Sequence, residues 1–241
     1  MPVHWGGASP DMKKVMQIAK KFKLKVIEDA CMGIGGTVLG KSPGSFGDIS
    51  AFSMHPLKSL NVMGDGGFVG TNNKSIYDWL KKYRNHGMID RDRISFWGEN
   101  YRLQPLQAIV AINQLKKLQY VINIRNKNAR FLDRQLIKLY PNVKIPLRPK
   151  GFKETFALYM ACFNKRDQLR KYLSKKGVET KIHYPTPLHL QEPSKKFNYQ
   201  KNDFPISERQ SKTLITIPVH QFLNQKHMRY IYDLIKNFYQ K

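Results

Sequence analysis

Apolar positions in the first part of the chain alternate between short runs and helical stripes. Pro2 to Trp5 reads as a short strand, and Ser9-Pro10-Asp11 offers an N-cap and a proline at the first helical position. The predicted helix runs to about Phe22, with Val15, Ile18, Ala19 and Phe22 on one face. Lys25 to Asp29 is a buried strand ending in two carboxylates, Asp48 to Met54 is another, and Gly67 to Thr71 a third. Strand, helix and strand without hairpin turns indicate an α/β layer, in which ligands collect at the strand ends.

A helix follows from about Lys74 to Asn85, closed by Gly87. From Pro105 to Tyr140 the pattern is helical, with a loose inner stripe of Leu106, Ile109, Val110, Asn113, Leu115, Leu118, Ile122, Ala129, Leu132 and Leu136, until Pro141 stops it. So long a helix often bridges two lobes. The remainder reads as a smaller α+β unit: a strand over Thr155–Phe163, a helix over Arg166–Lys176 closed by Gly177, and a strand over Glu179–Tyr184. A proline-rich loop (Tyr184-Pro-Thr-Pro-Leu-His) comes next, then a helical Ile206–Thr213, an extended Ile215–Val219 and an amphipathic terminal helix over Asn224–Tyr239. The expected division is 1–125 and 126–241.

Composition narrows the class. The chain has 241 residues, 41% of them hydrophobic, enough for a substantial core. No run approaches the roughly 18 consecutive apolar residues of a spanning helix, and no signal-peptide pattern opens the chain. Two cysteines, Cys31 and Cys162, make neither a disulfide framework nor a zinc knuckle, so no metal is expected and the compartment reads as a reducing cytoplasm. The net charge of +25 raises the question of nucleic acid. Its lysines are scattered through helical stretches such as Lys13-Lys14, Lys81-Lys82 and Lys116-Lys117, as on a solvated face, and no zinc-finger, RNP or basic-zipper pattern accompanies them. Neither nucleic acid nor a membrane is therefore an expected partner.

The chemistry lies between Val26 and Thr71. Asp29 ends one strand, Ser53 ends the next, Lys58 lies five residues beyond in Ser53-Met-His-Pro-Leu-Lys58, and Gly64-Asp-Gly-Gly67 turns into a third strand. A lysine amine forms a Schiff base with an aldehyde cofactor, of which pyridoxal 5'-phosphate is the usual one. Such a site also needs a carboxylate against the pyridine nitrogen and hydroxyls around the phosphate; Asp29 suits the first need and Ser53 the second. Singly, each residue has an ordinary explanation, since strand-end aspartates commonly cap turns and Lys58 is one lysine among 30.

The segment from Val26 to Asn73, with Arg84-Asn-His-Gly87, Gly98-Glu-Asn-Tyr-Arg102 and the long helix after it, and Ile182-His-Tyr-Pro185, resembles the DegT/DnrJ/EryC1/StrS family of pyridoxal-phosphate sugar aminotransferases. The resemblance covers nearly the whole chain. It implies an α/β fold: part of an aspartate-aminotransferase-like (fold type I) large domain, followed by a smaller α+β C-terminal domain. It implies that Lys58 is the Schiff-base lysine and the acid–base between cofactor and substrate carbons, that Asp29 holds the pyridine nitrogen, and that Ser53 binds the cofactor phosphate. Asn100 would reach the phosphate of a neighbouring subunit's site, which makes a homodimer the expected form. His183 and Tyr184, at the start of the proline loop, would lie near a nucleotide-sugar substrate. The implied reaction passes an amino group, with glutamate as donor, to a nucleotide-linked keto-sugar in surface-polysaccharide or amino-sugar biosynthesis.

Two features depart from the family pattern. Met32 stands where the family has Gln or His against the cofactor ring, and a thioether is a poor hydrogen-bonding substitute. The family also carries roughly a hundred residues ahead of the strand that opens this chain, a large fraction of a domain. That stretch includes a helix N-terminus for the phosphate and an aromatic residue for the ring. The expectation is of a chain N-terminally truncated relative to the family and weakly active alone. The alternative is an inactive or partner-dependent fragment of such an enzyme.

Overall fold

Three short strands build the sheet that carries the candidate chemistry. In the computed structural model, which describes residues 1–240, β1 (Ile27–Asp29) pairs in parallel with β3 (Ile49–Ser53), and β3 pairs antiparallel with β4 (Gly67–Gly70). β2 (Thr37–Val38) lies outside this sheet and pairs antiparallel with β6 (Phe152–Lys153). The expected opening strand reduces to one parallel bridge between Val3 and Asp29, and Trp5–Gly7 is a turn of 3-10 helix.

The first helix, α1 (Met12–Lys21), is capped by Asp11, whose carboxylate accepts the Lys14 N–H at 3.1 Å. Ser9 is therefore not its cap; the Ser9 hydroxyl is taken by His4 instead. Met12 and Ala19 are its buried residues, whereas Ile18 and Phe22 of the expected inner face are exposed. α2 (Lys74–Tyr83) is capped by Asn73, which accepts the Ile76 N–H at 3.1 Å. Its end leads to Gly87 at φ +72°, where an added Cβ would collide with the Phe96 carbonyl, so only glycine fits the turn.

The long helix α3 spans Pro105–Leu136 and tightens into a 3-10 turn over Ile137–Leu139. Its second part buries Ile122, Ala129, Leu132 and Leu136 as expected, but Leu106, Ile109 and Leu115 are exposed. Beside these exposed positions the helix faces inward through Gln107 and Ala111, each one residue past a stripe position, and through Leu118 of the stripe itself. The inward face there is small and polar because Gln107 donates to the Asp65 carbonyl at 2.8 Å.

The chain folds as two units: residues 1–123 with 149–157, and residues 124–148 with 158–240. The segment 149–157 belongs with the first because β6 pairs with β2 and because Thr155 donates through Oγ1 to the Met32 carbonyl at 2.6 Å. The division drawn from sequence, a single cut at 125/126, does not contain this excursion.

In the second unit β5 (Val143–Lys144), β7 (Tyr159–Phe163) and β8 (Leu214–Ile217) form an antiparallel sheet in the order β5-β7-β8. β7 is shorter than the expected Thr155–Phe163. The expected strand at Glu179–Tyr184 reduces to one bridge between Lys181 and Thr216, because a left-handed turn at Tyr184 (φ +57°) ends the extended run. α4 (Arg166–Lys175), α5 (Pro205–Thr213) and α6 (Gln225–Gln240) surround the sheet. Tyr159, Phe163, Leu169, Leu173, Ile215, Ile217, Met228 and Ile235 make the core. The buried Asn128 amide of α3 donates to the carbonyls of Val219, His220 and Leu223 at 3.0–3.3 Å, fastening the strand-to-helix connection.

Candidate active site at the edge of the first sheet

Register brings the acid and the hydroxyl to one edge. Because β1 and β3 are parallel, both strands end on the same side, and Asp29 lies opposite Ala51, two residues before Ser53. Ser53 in turn faces Gly67, where β4 begins. A Cβ at Gly67 would collide with the Phe52 carbonyl, so glycine allows the incoming chain to lie against β3.

Lys58 rides on a loop closed at its base. Met54 donates its N–H to the Gly66 carbonyl at 2.7 Å, and Val62 returns its own N–H to the Met54 carbonyl at 3.0 Å. Within the loop the Lys58 N–H meets the His55 carbonyl at 2.8 Å, while His55 Nδ1 accepts the Leu57 N–H at 3.2 Å. Buried Met54, Leu60 and Val62 flank the lysine and pack against Ile34, Leu103, Ala111 and Leu118. Apolar anchors on both sides of a polar, half-buried lysine hold a flexible side chain on a fixed base.

The Cys31 thiol senses both Asp29 and Lys58. The Asp29 carboxylate accepts the Cys31 N–H at 3.2 Å. The pKa of the Cys31 thiol is pushed up to about 11, first by burial and then by hydrogen bonding to Asp29 and its negative charge; the Lys58 ammonium acts on the same thiol in the opposite sense. Ser53 Oγ accepts the His55 N–H at 3.3 Å, which turns the chain from the strand end into the lysine loop. Met32 points its thioether at the Gly6 N–H, 3.2 Å away, and so serves the local packing of the first unit.

The remaining sequence candidates belong to other segments of the chain. Asn100 is exposed in the first unit, bridged to Asn85, and its side-chain carbonyl oxygen accepts from Arg102 Nε at 2.8 Å; Arg102 also meets His86 Nε2 at 3.1 Å. His183 and Tyr184 belong to the second unit. His183 Nδ1 pairs with Thr216 Oγ1 at 2.8 Å, and its pKa is lowered by burial and then by the charge of Lys181. His189 closes onto the Glu208 carboxylate at 3.1 Å, a structural pairing that folds the proline loop against α5.

Two groups that matter to the edge carry no motif. Gln107 ties the turn after the lysine loop to α3 through Asp65, and Glu28, the acid beside Asp29, is fully buried among main-chain N–H groups. The only sequence signal for Glu28 is the doubled acid at the end of a strand, and that strand is not buried throughout as expected, since Ile27 is exposed.

Comparison with known proteins adds the following. The sequence profile of the DegT/DnrJ/EryC1/StrS aminotransferase family matches residues 1–236. The chain is 31% identical over 240 residues to a pleiotropic regulatory protein of Geobacillus stearothermophilus, covering 99% of this chain and 64% of that protein. It is 31% identical over 237 residues to a UDP-N-acetyl-3-dehydro-alpha-D-glucosamine 3-aminotransferase of Acidithiobacillus ferrooxidans, covering 98% and 63%. Among solved structures, S. venezuelae DesV in complex with a ketimine intermediate superposes with a TM-score of 0.94 at 27% identity, covering 99% of this chain and 64% of that one. The chain therefore spans a little under two thirds of the length of these relatives. The expected architecture, part of an aspartate-aminotransferase-like large domain with a smaller α+β domain, is the one they share. By profile, sequence and fold together, this chain belongs to the DegT/DnrJ/EryC1/StrS aminotransferase family.

Proposed function

We propose that this chain carries the lysine-bearing part of a pyridoxal-phosphate site that moves an amino group, with glutamate as donor, onto a nucleotide-linked keto-sugar for amino-sugar or surface-polysaccharide biosynthesis. The observation that carries the reading is that the parallel strands β1 and β3 end on one sheet edge with Asp29 and Ser53, and that the closed loop bearing Lys58 starts directly from the end of β3.

The residues present fit such a cofactor chemically. An amine, a carboxylate and a hydroxyl are the three groups it requires, and the buried Ser59 hydroxyl beside Lys58 has no hydrogen-bond partner among the described residues. When bound, the cofactor supplies an electron sink for the carbon that loses its proton. Lys58 would supply the amine that holds the aldehyde and the base that moves a proton between carbons. Asp29 would face the pyridine nitrogen as its carboxylate partner. Ser53 would offer its hydroxyl to the phosphate.

Asn100 is exposed and has its side-chain carbonyl oxygen engaged by Arg102, leaving its amide nitrogen to donate to the phosphate of a second copy in a homodimer. His183 and Tyr184 take the nucleotide-sugar. The excess of positive charge favours a diphosphate-bearing substrate and acts less strongly as salt rises. No helix among the described residues is long and apolar enough to cross a membrane. The cytoplasm, which keeps Cys31 and Cys162 reduced, is the proposed location.

Borohydride reduction in the presence of pyridoxal phosphate tests the reading: a single stable adduct on Lys58 supports it, and labelling scattered over many lysines rejects it.

A further inference from the structure

β1 ends in two adjacent carboxylates, and successive strand residues point to opposite faces. Asp29 is half-buried at the sheet edge; Glu28 is fully buried on the other face. Glu28 Oε1 accepts the N–H groups of Phe46 at 2.7 Å and Gly47 at 2.6 Å. Its Oε2 accepts the Gly44 N–H at 2.8 Å and His4 Nε2 at 2.9 Å. His4 is fully buried as well, and its Nδ1 pairs with the Ser9 hydroxyl at 2.8 Å. Burial alone pushes the Glu28 carboxyl up, but the His4 hydrogen bond and the N–H groups of Gly47, Gly44 and Phe46 outweigh it and hold it below the ordinary carboxylate value.

This network ties β1 to the segments on both of its sides. His4 belongs to the stretch bridged to Asp29, whose N–H meets the Pro2 carbonyl at 2.9 Å and whose carbonyl accepts the His4 N–H at 3.0 Å. Gly44 to Gly47 form the loop that feeds β3 through Asp48. β1 itself has only three paired positions with β3, and a slip of one residue turns every side chain to the opposite face. With acids at both 28 and 29, such a slip would still present a carboxylate at the edge, so backbone pairing alone discriminates poorly between the two registers. The buried donors do discriminate: in the slip that brings Glu28 to the edge, Ile27 takes its place among the N–H groups of Gly44, Phe46 and Gly47 and offers them no side-chain acceptor.

We propose that Glu28 is a positioning residue whose buried hydrogen-bond network sets the register of β1 and thereby makes Asp29 the carboxylate presented to Lys58. The catalytic part of this statement rests on the cofactor reading above; the register part does not.

Glu28→Gln keeps the shape but sets an amide NH2 against N–H donors. Hydrogen exchange on the chain without cofactor reads the register. The expected result is exchange at least tenfold faster at Gly44, Phe46 and Gly47, and also at Asp29 and Ala30; acceleration confined to 44–47 overturns the proposal. In the protein loaded with pyridoxal phosphate, the pH titration of the cofactor absorbance should shift in Glu28→Gln and should not shift further when the same change is made in Asp29→Asn. Equal shifts in both backgrounds overturn the action through Asp29. If the wild-type chain gives no borohydride-stable Lys58 adduct, the cofactor reading fails by itself and exchange at Asp29 and Ala30 still decides the register. Should Glu28→Gln not fold, His4→Gln removes one of the four donors, and a smaller acceleration over the same residues is expected; none at Asp29 and Ala30 overturns the proposal.

Discussion

Asp29 accepts the main-chain N–H of Cys31 through Oδ1 at 3.2 Å. An asparagine at this position offers a carbonyl oxygen to the same N–H, so the turn survives while the charge is lost. Asp29→Asn should therefore fold with unchanged thermal stability and keep a borohydride-stable adduct on Lys58. On the role proposed for Asp29, turnover should fall at least about a hundredfold, because the carboxylate meant to hold the ring proton would be gone. Comparison of adduct yield with single-turnover rate checks this, and loss of both together would remove Asp29 from the assigned role.

Lys58→Ala should abolish the adduct, read by mass spectrometry of the peptide containing residues 55–61. The loop itself should persist, since its closure depends on Met54, Leu60 and Val62 and on main-chain hydrogen bonds, none of which involve the lysine side chain. A circular-dichroism melt matching the wild type is the expected companion result.

The two ends of α3 should respond differently to the same substitution. Leu132 is fully buried, and Leu132→Ala should cost about 2–5 kcal/mol of unfolding free energy. Leu106 is 77% exposed, and Leu106→Ala in this chain should change stability by no more than about 0.5 kcal/mol. Denaturant titration of the two variants measures the difference.

Glu28 gives a pH dependence with a definite sign. Its folded pKa lies below the unfolded value of about 4.3. The network therefore stabilises the fold fully above that value and loses its contribution as pH falls through the lower, folded pKa. The stability gap between wild type and Glu28→Gln should be constant near neutral pH and should narrow under acid. A gap that widens as pH falls would contradict the assigned hydrogen bonding.

The parts of the site legible in the sequence are those whose meaning is local. Asp29, Ser53 and Lys58 stand at strand ends or a few residues past them, and strand ends are where an α/β layer exposes side chains. Glu28 and Gln107 are illegible for the converse reason: their partners lie far along the chain, His4 at 24 residues and Asp65 at 42. The apolar stripe misleads near the start of α3 because hydrophobicity there marks the exposed side, while the inward face is Gln107 and Ala111. The strands β2, β5 and β6 have two residues each, too short for any period to register. The cap of α1 is ambiguous in sequence because Ser9 and Asp11 are both good capping residues, and a buried histidine takes the serine.

The pairing of β2 with β6 also sets an order of events. Thr37 and Val38 leave the ribosome more than a hundred residues before Lys153 and Phe152, a delay on the order of ten seconds at ordinary translation rates. Throughout that interval β2 has only its local bridge from Val38 to Lys41 and lacks β6, and the Met32 carbonyl has no Thr155 hydroxyl to accept. One edge of β2 is thus made early and closed late. Rare codons between positions 38 and 152 would lengthen that exposure, whereas rare codons after 157 would leave the first unit time to close before the rest of the second is made.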